Sequence, residues 1–172
     1  KKLQEIITHF ETILADNPDF LPAYMVLGMV HDASGKFGKA NDYYRQALDV
    51  QPGFAPAANN LAWNLAVEGG DLDEAFQLAR MAKDRMPDDP NVLDTMGWIH
   101  HLLGHHWKAV TELERAVALD PKAPAIRFRL GKAYLAAGEP EEARRAMKDV
   151  LALDSDFPKV EEVRRVLDGE EK

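Results

Sequence analysis

The feature that most constrains this chain is a repeat with a period of about 34 residues. Four prolines mark it, with separations of 34, 35 and 34 residues: Pro18, Pro52, Pro87 and Pro121. Four alanines keep the same period, with separations of 35, 34 and 34 residues: Ala40, Ala75, Ala109 and Ala143. A fixed period of this size is typical of repeat proteins, in which one structural unit stacks on copies of itself.

Each repeat has the pattern of two helices joined by a turn. Apolar residues recur at helical spacing, for example at Phe37, Ala40, Tyr44 and Ala47. A glycine interrupts each unit midway: Gly35, Gly69, Gly104 and Gly138. Because glycine interrupts helices and favours turns, the pattern predicts an all-α fold built from helix pairs.

Two segments carry the pattern of a known family, LGMVHDASGKFGKANDYYRQALDVQP and MGWIHHLLGHHWKAVTELERAVALDP. Both resemble the tetratricopeptide repeat, and the first segment matches the family pattern at every position: Leu27, Gly28, Gly35, Ala40, Tyr44, Ala47 and Pro52. The forms NNLAW and DTMGW resemble repeats of bacterial members of the family. The resemblance implies a right-handed α-solenoid of antiparallel helix pairs, with a concave inner face.

The repeats depart from the family pattern at three places. Ala62 stands where glycine is usual, and Ser155 stands where a proline would end the last repeat. The turn at Gly69 and Gly70 has one extra residue, which explains the single spacing of 35 residues. Loops tolerate insertion at small cost, so we expect this turn to loosen without breaking the array.

We predict six segments along the chain. They are the second helix of a truncated preceding repeat at 1–20, full repeats at 21–54, 55–89, 90–123 and 124–157, and a C-terminal capping helix and tail at 158–172. Val160, Val163 and Leu167 fall on one helical face, as expected for a helix that covers the last repeat. We therefore expect the chain to begin within an array and to end at its natural C-terminus, so that a targeting segment can precede it.

Composition and charge exclude several kinds of partner. The formal net charge of the 172 residues is −8 and is spread along the chain, whereas nucleic-acid binding requires a basic patch. No apolar run approaches the roughly 20 residues of a membrane helix. The chain has no cysteine, which removes thiol catalysis and cysteine-ligated zinc but leaves the compartment open between bacterial cytoplasm and cell envelope.

The resemblance implies which residues line the concave face. In the family, fixed positions of each first helix point inward, among them the fifth, ninth and twelfth. The partner-binding residues predicted in this way are Met25, Met29, Asp32, Asn59, Trp63, Asp94, Trp98, His101, Phe128 and Lys132. Trp63 and Trp98 hold equivalent ninth positions, so we expect an apolar stripe that polar residues interrupt.

The two tryptophans also have a structural interpretation. A tryptophan on a helix is often part of the core, and Trp63 and Trp98 can instead cover the seams between repeats. The core positions are already filled by Leu27, Leu61 and Met96. We therefore favour a role for both tryptophans in binding, since tryptophan is enriched at binding hot spots. Met25 and Met29 fit an adaptable surface and ordinary packing equally well.

Catalytic and metal sites are not supported by the sequence. There is no phosphate-binding glycine loop, no G-x-S-x-G and no H-E-x-x-H, and the acidic pairs at 88–89 and 141–142 fall where helix caps are expected. Four histidines crowd one turn, but Gly104 is expected to end the helix between His101 and His105. We predict no enzyme activity, no cofactor and no metal.

The sequence therefore predicts a protein-binding scaffold. Asp32 and Asp94 beside aromatic residues suit a peptide with apolar anchors and a basic residue. Some family members hold a C-terminal carboxylate, but here Met25 and Met29 replace the lysine and asparagine that this requires. The alternative is a structural scaffold that self-associates through its groove or the end of the array.

Overall fold

The computed structural model describes residues 2–170, and these form ten α-helices and no strand. The helices are α1 (Lys2–Asp16), α2 (Leu21–Ala33), α3 (Phe37–Val50), α4 (Ala55–Val67), α5 (Leu72–Arg85), α6 (Pro90–Leu102), α7 (His106–Leu119), α8 (Pro124–Ala136), α9 (Pro140–Leu153) and α10 (Val160–Asp168). Each predicted full repeat contains two of them. Residue 1 and residues 171–172, which belong to the predicted segments 1–20 and 158–172, lie outside the described residues.

Local sequence signals mark where five of the ten described helices begin. A proline lies in the first turn of α2, α4, α6, α8 and α9, where its missing N–H costs nothing. The Asp89 carboxylate caps α6 by accepting from the backbone N–H groups of Asn91 and Val92, at 2.8 and 3.1 Å. The prediction that Asp89 acts as a helix cap is thus confirmed.

The chain forms two compact units, the first ending at Arg85 and the second beginning at Met86. In the first unit, α2 packs on α3 and α4 packs on α5, with α3 also against α4 and α1 against α2. Its core includes Tyr24, Tyr44 and Leu61. Short connections between contacting helices make each pair an α-helical hairpin.

The second unit repeats this arrangement and adds a terminal helix. The helix pairs are α6 with α7 and α8 with α9, and α10 packs against α9. Val163 and Val166 of α10 are fully buried, in a cluster that also contains Phe128, Met147 and Phe157. The described part of segment 158–172 is therefore a helix whose apolar face is covered, as its pattern of valines predicts.

Small residues let the two helices of a pair approach closely. A Cβ atom at Gly28 would lie 2.4 Å from the Tyr44 ring, and one at Gly97 would lie 2.6 Å from Leu113. Gly131 stands in the same relation to Met147, at 2.7 Å. The equivalent positions in the second repeat hold Ala62 and Ala79, both fully buried. Because Ala79 is smaller than the facing residues of the other repeats, an alanine fits at position 62 where those repeats need a glycine.

The turn between α4 and α5, residues 68–71, is one residue longer than the turns within the other pairs. In those turns the last residue donates its N–H to the carbonyl five residues earlier, at 2.8–2.9 Å: Lys36, His105 and Glu139. Gly70 makes this bond here, to the Leu65 carbonyl at 2.8 Å. Asp71 is therefore the additional residue, and its carboxylate accepts from the N–H groups of Asp73 and Glu74.

Deleting Gly70 is expected to change the free energy of unfolding by less than about 1 kcal/mol. Asp71 would then occupy the last position of a three-residue turn, where it can supply both the turn N–H and the cap of α5. Thermal melting of the full chain measures the effect. Deletion of Gly35, which has a φ of +67° in a turn that is already short, is the control and should be clearly destabilising. Equal losses in both variants would contradict this account of the turn.

Candidate functional site

The ten predicted partner-binding residues lie on the first helices α2, α4, α6 and α8, but at different depths. At the fifth position Met25 is half-buried, whereas Asn59, Asp94 and Phe128 are buried. At the ninth position Met29 is 56% exposed, and the other three residues are half-buried: Trp63, Trp98 and Lys132. The ninth position is thus the more accessible one for a ligand.

In the first unit, three predicted residues line one cavity of about 260 Å³. They are Met29 and Asp32 of α2 and Trp63 of α4. The other lining residues are Tyr44, Asn60 and Asn64. The cavity therefore has apolar side chains from two neighbouring first helices and a set of polar groups between them.

A hydrogen-bond network holds the polar side of this cavity in place. The Asp32 carboxylate accepts from the Tyr44 hydroxyl at 2.5 Å and from Asn64 Nδ2 at 2.7 Å. Asn64 also donates to Asn41 at 2.9 Å, and Asn60 donates to the Tyr44 hydroxyl at 3.3 Å. Burial and the bond to Asp32 raise the pKa of Tyr44, so its hydroxyl stays protonated at neutral pH. The carboxylate is thus fixed in position by neutral donors.

In the second unit, Asp94 is already paired within the protein. Its carboxylate accepts two hydrogen bonds from the guanidinium of Arg129, one of them from Nε at 2.6 Å. Burial raises the pKa of Asp94, and the charge of Arg129 opposes that rise. The role of Asp94 in partner binding stays a prediction. In the structure α8 supplies a cationic partner for its carboxylate, and the side chain is buried.

Trp98 stacks on His101 in the same unit, with ring centroids 4.8 Å apart. His101 also contacts His106, at 5.4 Å between centroids. Burial, followed by the nearby charges of His106 and Lys132, lowers the pKa of His101 below its ordinary value. His101 is therefore neutral at pH 7 and presents an uncharged ring beside the tryptophan.

Two further predicted residues are placed differently from the expected apolar stripe. Phe128 is 3% exposed and packs against Phe157 beneath α10, with centroids 5.4 Å apart. Asn59 is also buried, and its Nδ2 lies 3.4 Å from the Asn60 side chain. Both residues are therefore buried, Phe128 in the cluster that contains the valines of α10. Neither offers an accessible anchor for a partner.

The sequence analysis did not identify several residues of the first-unit cavity and of the group around Trp98. Tyr44 was expected only as a pattern residue of the second helix, and Asn64 was not singled out. The pair Asn60 and Asn64, four residues apart beside Trp63, was an available signal, because it places two amides on one helical face. No sequence feature singled out His106, because its contact with His101 is between two helices, α6 and α7.

The crowded histidines form two separate pairs. The His100 and His105 rings lie 5.7 Å apart, and His101 contacts His106. Within residues 2–170 no group of three or more histidine, aspartate or glutamate side chains has a geometry that would hold a metal ion. His31 and His100 are buried, and His31 stacks on Tyr43.

Comparison with known proteins decides the family. Two family models, both described as tetratricopeptide repeat, match residues 25–90 and residues 104–167. The chain belongs to the tetratricopeptide repeat family. These two matches together span most of the helix pairs described above, and the resemblance seen in the sequence is confirmed.

Curated relatives share part of their length with this tetratricopeptide repeat protein. The protein O-mannosyl-transferase TMTC1 of Mus musculus is 28% identical over 135 residues, which are 77% of this chain and 14% of the mouse protein. The chain thus spans about one seventh of that relative. The TPR repeat-containing protein YpiA of Bacillus subtilis is 28% identical over 130 residues, covering 74% of this chain and 30% of the relative.

Solved structures show the same fold. The tetratricopeptide repeat protein TTC0263 of Thermus thermophilus superposes with a TM-score of 0.72 at 24% identity, covering 95% of this chain and 87% of that one. YrrB, described as a TPR protein with an unusual peptide-binding site, superposes with a TM-score of 0.71 at 19% identity and covers 94% and 82% of the two chains. The predicted all-α tetratricopeptide fold is confirmed.

Membership of this family indicates a role in protein interaction. Tetratricopeptide repeat proteins generally bind proteins or peptides and act as non-catalytic scaffolds. Across residues 2–170, no helix combines the length and the apolar character that crossing a membrane requires.

Proposed function

We propose that this tetratricopeptide repeat protein is a non-catalytic scaffold that binds a peptide segment of a partner protein, with Trp63 and Trp98 as its main anchors. The observation that carries the proposal is the cavity of the first unit, which Met29, Asp32 and Trp63 line together. Its volume of about 260 Å³ is just below the roughly 300–1,000 Å³ of small-molecule sites, so it suits one side chain of a larger ligand.

The accessibility of the two tryptophans supports this role. Both are half-buried, so each is held by its own unit and still presents part of its surface to solvent. A tryptophan fixed in this way loses little conformational entropy on binding, which makes it an effective anchor. The similarity to YrrB supports a peptide as the ligand, since that protein is described as having a peptide-binding site.

Trp63→Ala and Trp98→Ala are each expected to weaken peptide binding by at least about 2 kcal/mol, or roughly thirtyfold, because truncated hot-spot aromatics lose contacts with the ligand. The probe is a peptide enriched from a random displayed library on the intact chain. Its affinity is measured by fluorescence polarisation, and thermal melting is measured for each variant. Melting should change little, since neither side chain is fully buried.

Trp107→Ala is the matched control for both substitutions. Trp107 lies on α7 and is 59% exposed, so its removal is the same chemical change on a second helix. This variant should bind the peptide as the wild type does. A wild-type affinity in both Trp63→Ala and Trp98→Ala, or a failure of the intact chain to enrich any peptide, would contradict the proposed function.

Self-association is a second candidate, favoured by one apolar surface. On α1, Leu3 and Ile6 are 43% and 40% exposed, and Ile6 lines a shallow cavity with His9 and Phe10. Apolar side chains on one helical face are buried when a second chain covers them. Sedimentation velocity distinguishes the two functions: a concentration-dependent dimer that Ile6→Lys abolishes would support self-association, whereas a monomer would exclude it.

A further inference from the structure

We propose that the cavity of the first unit receives a basic side chain, arginine or lysine, of the bound peptide. This inference rests on the proposed function and specifies the chemistry of one of its binding sites. Among the described residues that line the cavity, Asp32 is the one with a formal charge. The remaining lining side chains are neutral: Met29, Tyr44, Asn60, Trp63 and Asn64.

The carboxylate of Asp32 retains acceptor capacity. Each of its oxygens accepts one hydrogen bond, Oδ2 from the Tyr44 hydroxyl and Oδ1 from Asn64 Nδ2. A carboxylate can accept about four hydrogen bonds through its two oxygens. An incoming guanidinium or ammonium group can therefore bond to Asp32 without displacing Tyr44 or Asn64.

A comparison with Asp94 shows what Asp32 lacks. Asp94 occupies the fifth position of α6 and is neutralised by the bidentate guanidinium of Arg129. Asp32 is held by a hydroxyl and an amide, which orient its charge without cancelling it. A carboxylate held in this way beside apolar surface attracts a cation more strongly than one that is fully exposed to water.

The walls of the cavity suit the rest of a basic side chain. Arginine and lysine carry an apolar stem that packs along apolar surface while the charged end reaches a polar partner. Met29 and Trp63 supply that surface on α2 and α4, next to the carboxylate. The polarisable thioether of Met29 and its exposure of 56% allow it to adjust to the ligand.

The charge of the whole chain favours the same class of ligand. With a formal net charge of −8, the protein attracts basic segments and repels acidic ones over the distance that salt screening permits. A basic peptide is therefore favoured over a C-terminal carboxylate, which the negative charge of Asp32 would repel.

The experiment uses peptides enriched on the intact chain from a random displayed library. We expect an arginine or lysine to recur in them. Replacing that residue with its neutral analogue, citrulline or norleucine, should weaken binding at least about tenfold, because a charge-assisted hydrogen bond is lost. Asp32→Asn should weaken binding of the basic peptide by a similar factor. The neutral peptide should bind wild type and Asp32→Asn alike, which shows that the two charges interact directly.

Asp49→Asn is the matched control, because it removes the same charge from an exposed position of α3 outside the cavity. It should bind the basic peptide as the wild type does. Thermal melting checks that Asp32→Asn folds; if it does not, the comparison of basic and neutral peptides on the wild type decides the question.

The outcomes separate this inference from the proposed function. Peptides that require Trp63 but bind equally well with arginine or citrulline would overturn the basic-side-chain inference and leave the scaffold function intact. Equal losses in Asp32→Asn and Asp49→Asn would also overturn it, since they would reflect net charge alone. An intact chain that enriches no peptide would overturn both.

Discussion

Replacing Arg129 with methionine is expected to lower the free energy of unfolding of the second unit by about 3–5 kcal/mol, the cost of leaving a buried charge without its partner. Asp94 is buried, and its carboxylate takes two hydrogen bonds from this one guanidinium. Methionine keeps much of the side-chain volume but supplies neither charge nor donor. Chemical denaturation followed by tryptophan fluorescence measures the loss.

The loss should depend on pH in a defined direction. Burial already raises the pKa of Asp94 above its ordinary value of 3.8, and removing Arg129 removes the influence that opposes this rise. Between pH 3.8 and the raised pKa of the native variant, the native state holds a proton that the unfolded chain has released, so stability falls as pH rises through this range. The deficit relative to the wild type should therefore be smaller in acid than at neutral pH.

Arg127→Met is the control for this substitution. Arg127 lies on the same helix, pairs with Asp149 at 2.9 Å and donates to the Pro121 carbonyl, but the Asp149 side chain is 57% exposed, so the loss of Arg127 leaves no buried charge. Exposed ion pairs contribute about 1 kcal/mol or less, so this variant should lose much less stability than Arg129→Met. Equal losses, or an Arg129→Met deficit that grows in acid, would be inconsistent with a buried ion pair.

Deleting residues 158–172 is expected to lower the free energy of unfolding of the second unit by about 4 kcal/mol and to promote association. Val163 and Val166 of α10 are fully buried, and each contributes about 1.5–3 kcal/mol when it is removed from water. The truncation also uncovers Phe128 and Met147, which share their cluster. Thermal melting and light scattering of the truncated chain measure the two effects.

A shorter truncation provides the control for the terminal helix. Deleting residues 171–172 leaves α10, Gly169 and the bond from the Glu170 N–H to the Arg165 carbonyl in place, and should change stability by no more than about 0.5 kcal/mol. If the longer truncation remained monomeric with an unchanged melting temperature, α10 would not be a stabilising cap.

The sequence predicted the helices well because their signals are local. The helical spacing of apolar residues, the aspartate cap at Asp89 and the glycine of each turn act within a few residues, so they can be recognised one after another. The valines of α10 predicted a covered face for the same reason. The sequence did not show which residue of this turn is the additional one. That depends on whether the N–H of Gly70 or the N–H of Asp71 closes the turn, and the structure shows that it is Gly70.

The site was predicted less completely because it depends on contacts between helices. Asp94 and Arg129 are 35 residues apart, and the sequence alone does not show that one neutralises the other. Phe128 is buried in a cluster that contains valines of α10, and the position of a residue within the repeat does not indicate this contact. Met29, Asp32 and Trp63 line one cavity. The hydrogen bonds that orient Asp32 come from Tyr44 on α3 and Asn64 on α4, and the sequence alone does not show that these side chains meet.

The matched sizes at the closest helix contacts limit how this protein can be rebuilt by recombination. Gly28 faces Tyr44 and Gly97 faces Leu113, whereas Ala62 occurs with Ala79 at the equivalent positions. A chimera that joined α4 to α7 would set the methyl group of Ala62 against the side chain of Leu113, where a glycine now stands. The unit that can be exchanged between repeats is therefore the complete helix pair. A single helix moved alone would meet a partner helix whose contact residue has the wrong size.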